Sequence, residues 1–417
     1  MKLKSMKPLQ GIYVLDLSQA AAGPMCGSYL AAMGAEVIKL EHPLGGDMAR
    51  RTPPYATRQG IQPNRSSPED ISSTVLKRNR GKKSVAVDLK TSEGLAILHK
   101  LVACSDIVLE NFRPGVTKKL GVDYESLFPI KQNLIYCSIT GFGMSGPYKN
   151  WSAFDTIIQG MSGVMASTGF PDGPPTKAGL IVGDTYAPLF ALSSILAALR
   201  VRDLTGSGDF IEVSMFDCLV SLVWDEPIEF YAQHNICARS GNRLLRMAPW
   251  NSYRTSDGYV VICAGQNDHW VKVCGVIGRE ELVSDERFIT MESRLRNVVL
   301  VDEIVEGWTS LRTRDQVVQI CQAAGVPCGP VNELTDLVKD PHLSERELLK
   351  PMIHPDLGTI QGANVARFPV RFRHIQTNDL GVAPALGRHT REVLRDRLNL
   401  DDQRIDKLQE SGVIGRS

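Results

Sequence analysis

The sequence predicts an α/β protein in which a large domain built on a parallel sheet is interrupted by a smaller one. Three observations carry this prediction. Short apolar runs rich in β-branched residues alternate with segments of helical periodicity from residue 12 to about residue 225, the alternation that builds parallel sheets. Over residues 225–255 the rhythm is lost, and residues 268–335 read as mostly helical around one strand at 259–264. The chain has 417 residues, enough for two or three structural units. The large domain is therefore expected over residues 1–224 and 336–417, and the smaller over 225–335.

The first elements set the pattern. Residues 12–17 are an apolar run and a buried-strand candidate. Residues 19–27 form a small-residue turn, 28–33 continue as a helix that Gly34 ends, and 36–40 are a second strand. Strand, helix and strand in this order make a βαβ unit. The unit recurs with a strand at 84–89, a helix at 92–104 carrying Leu95, Leu98, Leu101 and Val102 on one face, and strands at 106–110 and 134–139. Residues 161–165 and 189–199 read as buried helices, 210–213 as a strand, and a long apolar helix follows from Met215. Loops, short strands and a charged helix from Thr390 close the chain.

Composition excludes several classes of function. Lys plus Arg number 47 and Asp plus Glu 46, so the net charge of +1 offers no global attraction to nucleic acid or to an anionic membrane. Nine cysteines include no C-x-x-C pair, which speaks against a zinc or redox motif, and reduced thiols in a cytoplasmic protein are expected. Residues 1–8 carry three lysines without a following signal-type apolar run, and no stretch reaches the roughly 18 apolar residues of a membrane span.

Three constellations could carry chemistry. The first βαβ turn has Gly23 and Gly27 but not the spacing of a dinucleotide fingerprint, so an NAD site is disfavoured while another nucleotide site stays open. The basic run 76–83, LKRNRGKK, is either a solvated loop or a loop near phosphates, and Lys90, Arg113, Lys118 and Lys119 recur beside strand ends, where ligands of parallel sheets bind. Asp184 stands between an apolar stretch and the hydrophobic helix at 189–199. It is either a helix N-cap or a carboxylate nucleophile kept ionised by the helix dipole. No H-E-x-x-H, G-x-S-x-G or G-x-x-x-x-G-K-[ST] motif occurs, and the eight histidines show no metal-ligand spacing.

Blocks along nearly the whole chain carry a family resemblance. They include VLDLSQAAAGPMCG (14–27), AEVIKLEHPLGGDMAR (35–50), KSVAVDLKTSEG (83–94), DIVLENFRPG (106–115), SITGFGMSGP (138–147), GDTYA (183–187), LTGSGDFIEVSMFD (204–217), GVPCGPV (325–331) and LGRHTREVL (386–394). In content, order and spacing the chain resembles the class III CoA-transferases, a group that also contains α-methylacyl-CoA racemase. The resemblance implies a Rossmann-like large domain, a smaller α+β domain, and an interlocked dimer of ring-like chains. It also implies a homodimer, or a heteromer with a related subunit, that binds no cofactor permanently and uses coenzyme A thioesters as substrates.

The family's nucleophile matches Asp184. The residues implied to contact CoA are Ala21, Ala22, His42, Val87, Lys90, Asn111, Phe112, Arg113, Lys119, Thr140 and Gly141, with no metal ligands among them. Lys119 replaces a common arginine, while His42 and Thr140 stand where formyl-CoA transferases carry arginine and lysine. Backbone amides of the 141–146 turn, or of the smaller domain, are candidate oxyanion donors, and Arg243, Met247, Trp250 and Asn251 are candidates for an acid pocket. The implied reaction moves CoA from a donor, succinyl-CoA, to a carboxylic or dicarboxylic acid. Two other readings are a racemase and a non-catalytic subunit of a heteromeric enzyme. Where the racemase branch has a histidine this chain has Phe154, which cannot carry a proton, and that favours transfer.

Overall fold

A computed structural model describes residues 6–415, so the reading of residues 1–8 falls partly outside the described residues. The described residues divide into two compact units, one of residues 6–164, 178–226 and 344–415 and one of residues 165–177 and 227–343.

The larger unit is built on six strands: β1 (Tyr13–Asp16), β2 (Glu36–Glu41), β3 (Lys82–Ala86), β4 (Ile107–Glu110), β5 (Ile135–Thr140) and β6 (Asp209–Ser214). All pairings are parallel, in the order β3-β2-β1-β4-β5-β6. Its principal helices are α1 (Ala22–Ala32), α2 (Ser73–Arg78), α3 (Ser92–Ala103), α4 (Asp155–Met161), α5 (Val182–Thr205), α6 (Met215–Val223), α7 (Thr390–Leu398) and α8 (Asp402–Glu410). An antiparallel pair, β7 (Leu349–His354) and β8 (Gly358–Ala366), lies before α7.

Successive side chains of a strand point to opposite faces, so each strand feeds two cores. Val14, Leu109 and Cys137 pack with residues of α1, α5 and α6 on one face. Leu15, Val108 and Tyr136 pack with residues of α3, α7 and α8 on the other. Apolar residues on both faces are what a parallel sheet covered by helices requires. From β1 the chain steps outward to β2 and β3, then returns to β4 on the other side of β1. That reversal opens a crevice beyond the carboxyl ends of β1 and β4, where ligands of such sheets bind.

The strand expected at 84–89 runs over Lys82–Ala86, and the helix expected at 161–165 gives way to α4, which ends at Met161, and a short helix Val164–Ser167. Two more helices differ from expectation. Helix α1 begins at Ala22, so Gly23, Pro24 and Gly27 are helical rather than part of the turn. Pro24 is tolerated because first-turn amides have no intrahelical partner. A Cβ on Gly27 would come within 2.8 Å of Asp16 Oδ2 and 2.9 Å of Lys82 Nζ, so the glycine lets α1 lie against that ion pair. Helix α5 begins at Val182, well before Leu189, where the sequence pattern suggests a start. By length and mean hydropathy α5 could cross a membrane, contrary to expectation. Its Ala187, Ala191, Leu192, Ile195 and Leu199 instead belong to the core of this unit.

The smaller unit has an antiparallel sheet of Trp250–Thr255, Gly258–Cys263 and Cys328–Pro330. Tyr253, Val260, Trp270, Phe288 and Val305 form its core. Residues 165–177 belong to it because the Gly241 amide donates to the Gly169 carbonyl and the Phe170 ring lies against Gly241.

Candidate active site

A cavity of about 300 Å³ opens at the carboxyl ends of β1, β4 and β5 in the larger unit. Residues following each of these strands line it: Gln19 to Ala22 after β1, Asn111 to Pro114 after β4, and Thr140 to Phe142 at the end of β5. The start of α4 supplies Phe154 and Asp155, and the first turn of α5 supplies Asp184.

Asp184 is half-buried and is not the cap of its helix: Ile181 holds the N-cap position, without a side-chain hydrogen bond. The first amides of α5 are served by Asp155, whose Oδ1 accepts from Gly183 N at 2.7 Å and from Asp184 N at 3.3 Å. Gln159 Nε2 donates to the other Asp155 oxygen at 2.6 Å. A Cβ on Gly183 would sit 3.2 Å from Asp155 Oδ1, so glycine there lets the carboxylate reach the helix end. Burial, and then the nearby Asp155 charge, push the Asp184 pKa up to about 6, while Arg78 pulls it back. Asp184 is thus ionised at neutral pH yet poorly solvated, the condition in which a carboxylate is a competent nucleophile. Pro188 has no amide hydrogen, so the Asp184 carbonyl lacks its intrahelical partner. Asp155 has no role in the sequence analysis; an acid in the first turn of a short helix is all that marks it.

Of the residues implied to contact CoA, Ala21, Ala22, Asn111, Phe112, Arg113, Thr140 and Gly141 share this cavity with Asp184. His42, Val87, Lys90 and Lys119 lie outside it. His42 follows β2, with Nε2 3.6 Å from Asp88 Oδ1. Val87 follows β3 and its amide donates to the Glu41 carbonyl at 2.8 Å. Lys90 is exposed just beyond, and Lys119 is exposed on the short helix Val116–Leu120.

Several of the lining residues hold the walls. Asn111 clamps Gln19 from both sides, accepting from its amide at 2.7 Å and donating to its carbonyl at 2.8 Å. Glu110 accepts from Phe112 N at 2.7 Å, and its burial pushes its own pKa up to about 7. The Thr140 hydroxyl accepts from Gly143 N at 2.9 Å, and Met144 N donates to Glu212. Two amides of the expected oxyanion turn are therefore already engaged.

The basic run is neither a solvated loop nor an open phosphate cradle. Lys82 is buried and donates to Asp16 Oδ2, the Pro24 carbonyl and Asn79 Oδ1 at 2.7 to 2.9 Å. Arg80 donates to the carbonyls of Ala366, Leu380 and Gly381, Lys83 pairs with Glu36 and Glu392, and Arg78 reaches the Ala20 carbonyl. Although burial alone would raise it, Lys39 and Lys82 hold the Asp16 carboxyl below its usual range. Within the smaller unit, the acid-pocket candidates Arg243 and Asn251 both donate to Asp302, at 2.6 and 3.0 Å, so the Arg243 charge is already neutralised there.

Comparison with known proteins gives a consistent set of relatives. The model of the family described as CoA-transferase family III matches residues 9–390. The chain is 34% identical over 395 residues to a succinate–glutarate CoA-transferase of Agrobacterium fabrum, covering 93% of this chain and 95% of the relative. It is 35% identical over 412 residues to a succinyl-CoA–D-citramalate CoA-transferase of Chloroflexus aurantiacus, covering 98% of each. The crystal structure of a CaiB/BaiF family protein from Brucella suis superposes with a TM-score of 0.82 at 34% identity, over 94% of this chain and 99% of that one.

Proposed function

The chain belongs to CoA-transferase family III and is a CoA-transferase; from that premise we propose that it moves CoA from succinyl-CoA to a small dicarboxylic acid through a covalent intermediate on Asp184. The observation that carries this reading is a desolvated carboxylate at the start of α5, in a cavity at the sheet's switch point. The names of the relatives above support a succinyl donor and a dicarboxylate acceptor.

Asp184 attacks the donor thioester carbonyl, giving a mixed anhydride and CoA thiolate. The thiolate attacks the aspartyl carbonyl, forming an aspartyl-CoA thioester and releasing the donor acid. The acceptor carboxylate then attacks this thioester to give a second anhydride, and the returning thiolate takes the acceptor acyl group and frees Asp184. Thioester energy stays in covalent bonds throughout, so no ATP is consumed. The nucleotide arm would run along the strand ends, past Ala21, Ala22 and Arg113 towards His42, Val87 and Lys90. From β5 to β3 there are four strand spacings, about 19 Å at ~4.8 Å each, which suits an extended CoA arm. Phe154, 62% exposed at the cavity, offers no proton for a racemase. Leu189, Phe190, Val201 and Leu204 on α5 remain exposed in the single chain and support pairing with a second copy, as an interlocked dimer requires.

Incubating the protein with succinyl-CoA and a panel of acids, with mass detection of new thioesters, tests the proposal. New thioesters of dicarboxylic acids, formed without ATP, are the expected result. Rapid α-deuterium uptake by a 2-methylacyl-CoA, with no acid-dependent exchange, would contradict it.

A further inference from the structure

The segment 17–21 joins β1 to α1 and brings Ala20 and Ala21 into the cavity wall. Ala20 has φ of 66°, in the left-handed region that an alanine enters only at a cost. Strain of this kind persists where the surroundings over-determine it, and it concentrates at ligand-binding walls.

The surroundings here are explicit. Lys39 Nζ donates to the Ser18 carbonyl, and Asn111 clamps Gln19. The Ala20 amide donates to Asp47 Oδ1 at 2.9 Å, and its carbonyl accepts from Arg78 Nη1 at 3.3 Å. The four side chains come from β2, the end of β4, the loop after β2, and α2. Asp47 is itself held: it is buried, its Oδ1 also accepts from Ala49 N at 2.9 Å, and its own amide donates to Glu41 Oε1 at 3.0 Å. Glu41 in turn is gripped by Arg50 at 2.7 and 2.8 Å and by Ser84 at 2.6 Å. A turn needed only to connect two elements could place glycine here and dispense with the clamp.

We propose that Asp47 is a positioning residue for CoA-thioester binding, acting by holding Ala20 in its left-handed conformation and so shaping the wall of the cavity that contains Asp184. The inference rests on the reading that this cavity takes a CoA thioester.

The test compares the wild type with Asp47→Ala and with the double variant Asp47→Ala/Ala20→Gly, using calorimetry with CoA and steady-state kinetics with succinyl-CoA. In Asp47→Ala, Kd for CoA and KM for succinyl-CoA should rise by about tenfold or more, with kcat falling far less, because the nucleophile is not touched. Ala20→Gly should recover most of that loss, since glycine takes the left-handed conformation without a clamp. Should Asp47→Ala fail to fold, Ala20→Val must give the same KM-selective loss, because a β-branched residue resists positive φ while the Asp47 side chain is intact. An unmoved KM and Kd, equal losses in kcat and KM, or a double variant no better than the single one overturns the inference alone. A wild type that binds no CoA overturns the functional reading and this inference with it.

Discussion

At Asp184, burial and the Asp155 charge raise the pKa while Arg78 opposes them, and the balance sets both rate and stability. The proposed nucleophile must be ionised, so kcat/KM should fall on the acid side with an apparent pKa of about 6. Asp155→Asn keeps an oxygen that can accept from Gly183 N but removes the nearby charge. The acid limb should then move to lower pH, and a pH–rate profile of the two proteins checks it. The stability sign follows from proton binding: with a raised folded-state pKa, the folded chain holds more protons than the unfolded one between the ordinary carboxylate range and about pH 6. Ionised Asp184 therefore costs stability as pH rises through that window. Asp184→Asn should melt higher than the wild type at pH 8 and lose that advantage near pH 4, as thermal unfolding at both values would show.

Among the elements, the three strands β1, β2 and β3 are tied by Asp16, Lys39 and Lys82, with Lys39 Nζ 3.7 Å and Lys82 Nζ 2.7 Å from the carboxylate. Removing one partner leaves buried charge uncompensated. Lys82→Met should cost about 3–5 kcal/mol, read from denaturant unfolding. The sequence showed β1 and β2 closely, because their apolar residues feed two cores and the pattern is local, but it read β3 at 84–89, two residues late, because Lys82 and Lys83 look like part of a basic loop. It could not show that LKRNRGKK is mostly internal, since the partners of Lys82 and Lys83 include Asp16, Glu36 and Glu392, distant in sequence. Nor could it place the start of α5 correctly: the pattern reads a start at Leu189, after Pro188, whereas the structure carries the helix through the proline and puts Asp184 in the first turn.

For the whole molecule, the alternation of strand and helix and the carboxylate at 184 were legible in the chain, and the family blocks indicated most of the cavity lining. Asp155 and the Ala20 clamp were not, because each depends on side chains brought together from separate segments. The assignment of residues 165–177 to the smaller unit likewise rests on the contact of Phe170 with Gly241. Transfer of CoA should persist in EDTA and without nucleotide triphosphate, because the proposed steps use carboxylates and a thiolate alone; an assay with chelator and no ATP checks this. The most direct test is peptide mass spectrometry of the protein quenched during turnover with succinyl-CoA. The account predicts a CoA adduct on Asp184, converted to the hydroxamate by hydroxylamine, and absent from an Asp184→Ala protein that has lost transfer by several orders of magnitude. Steady turnover with no adduct on Asp184, or near-normal transfer by Asp184→Ala, would contradict it.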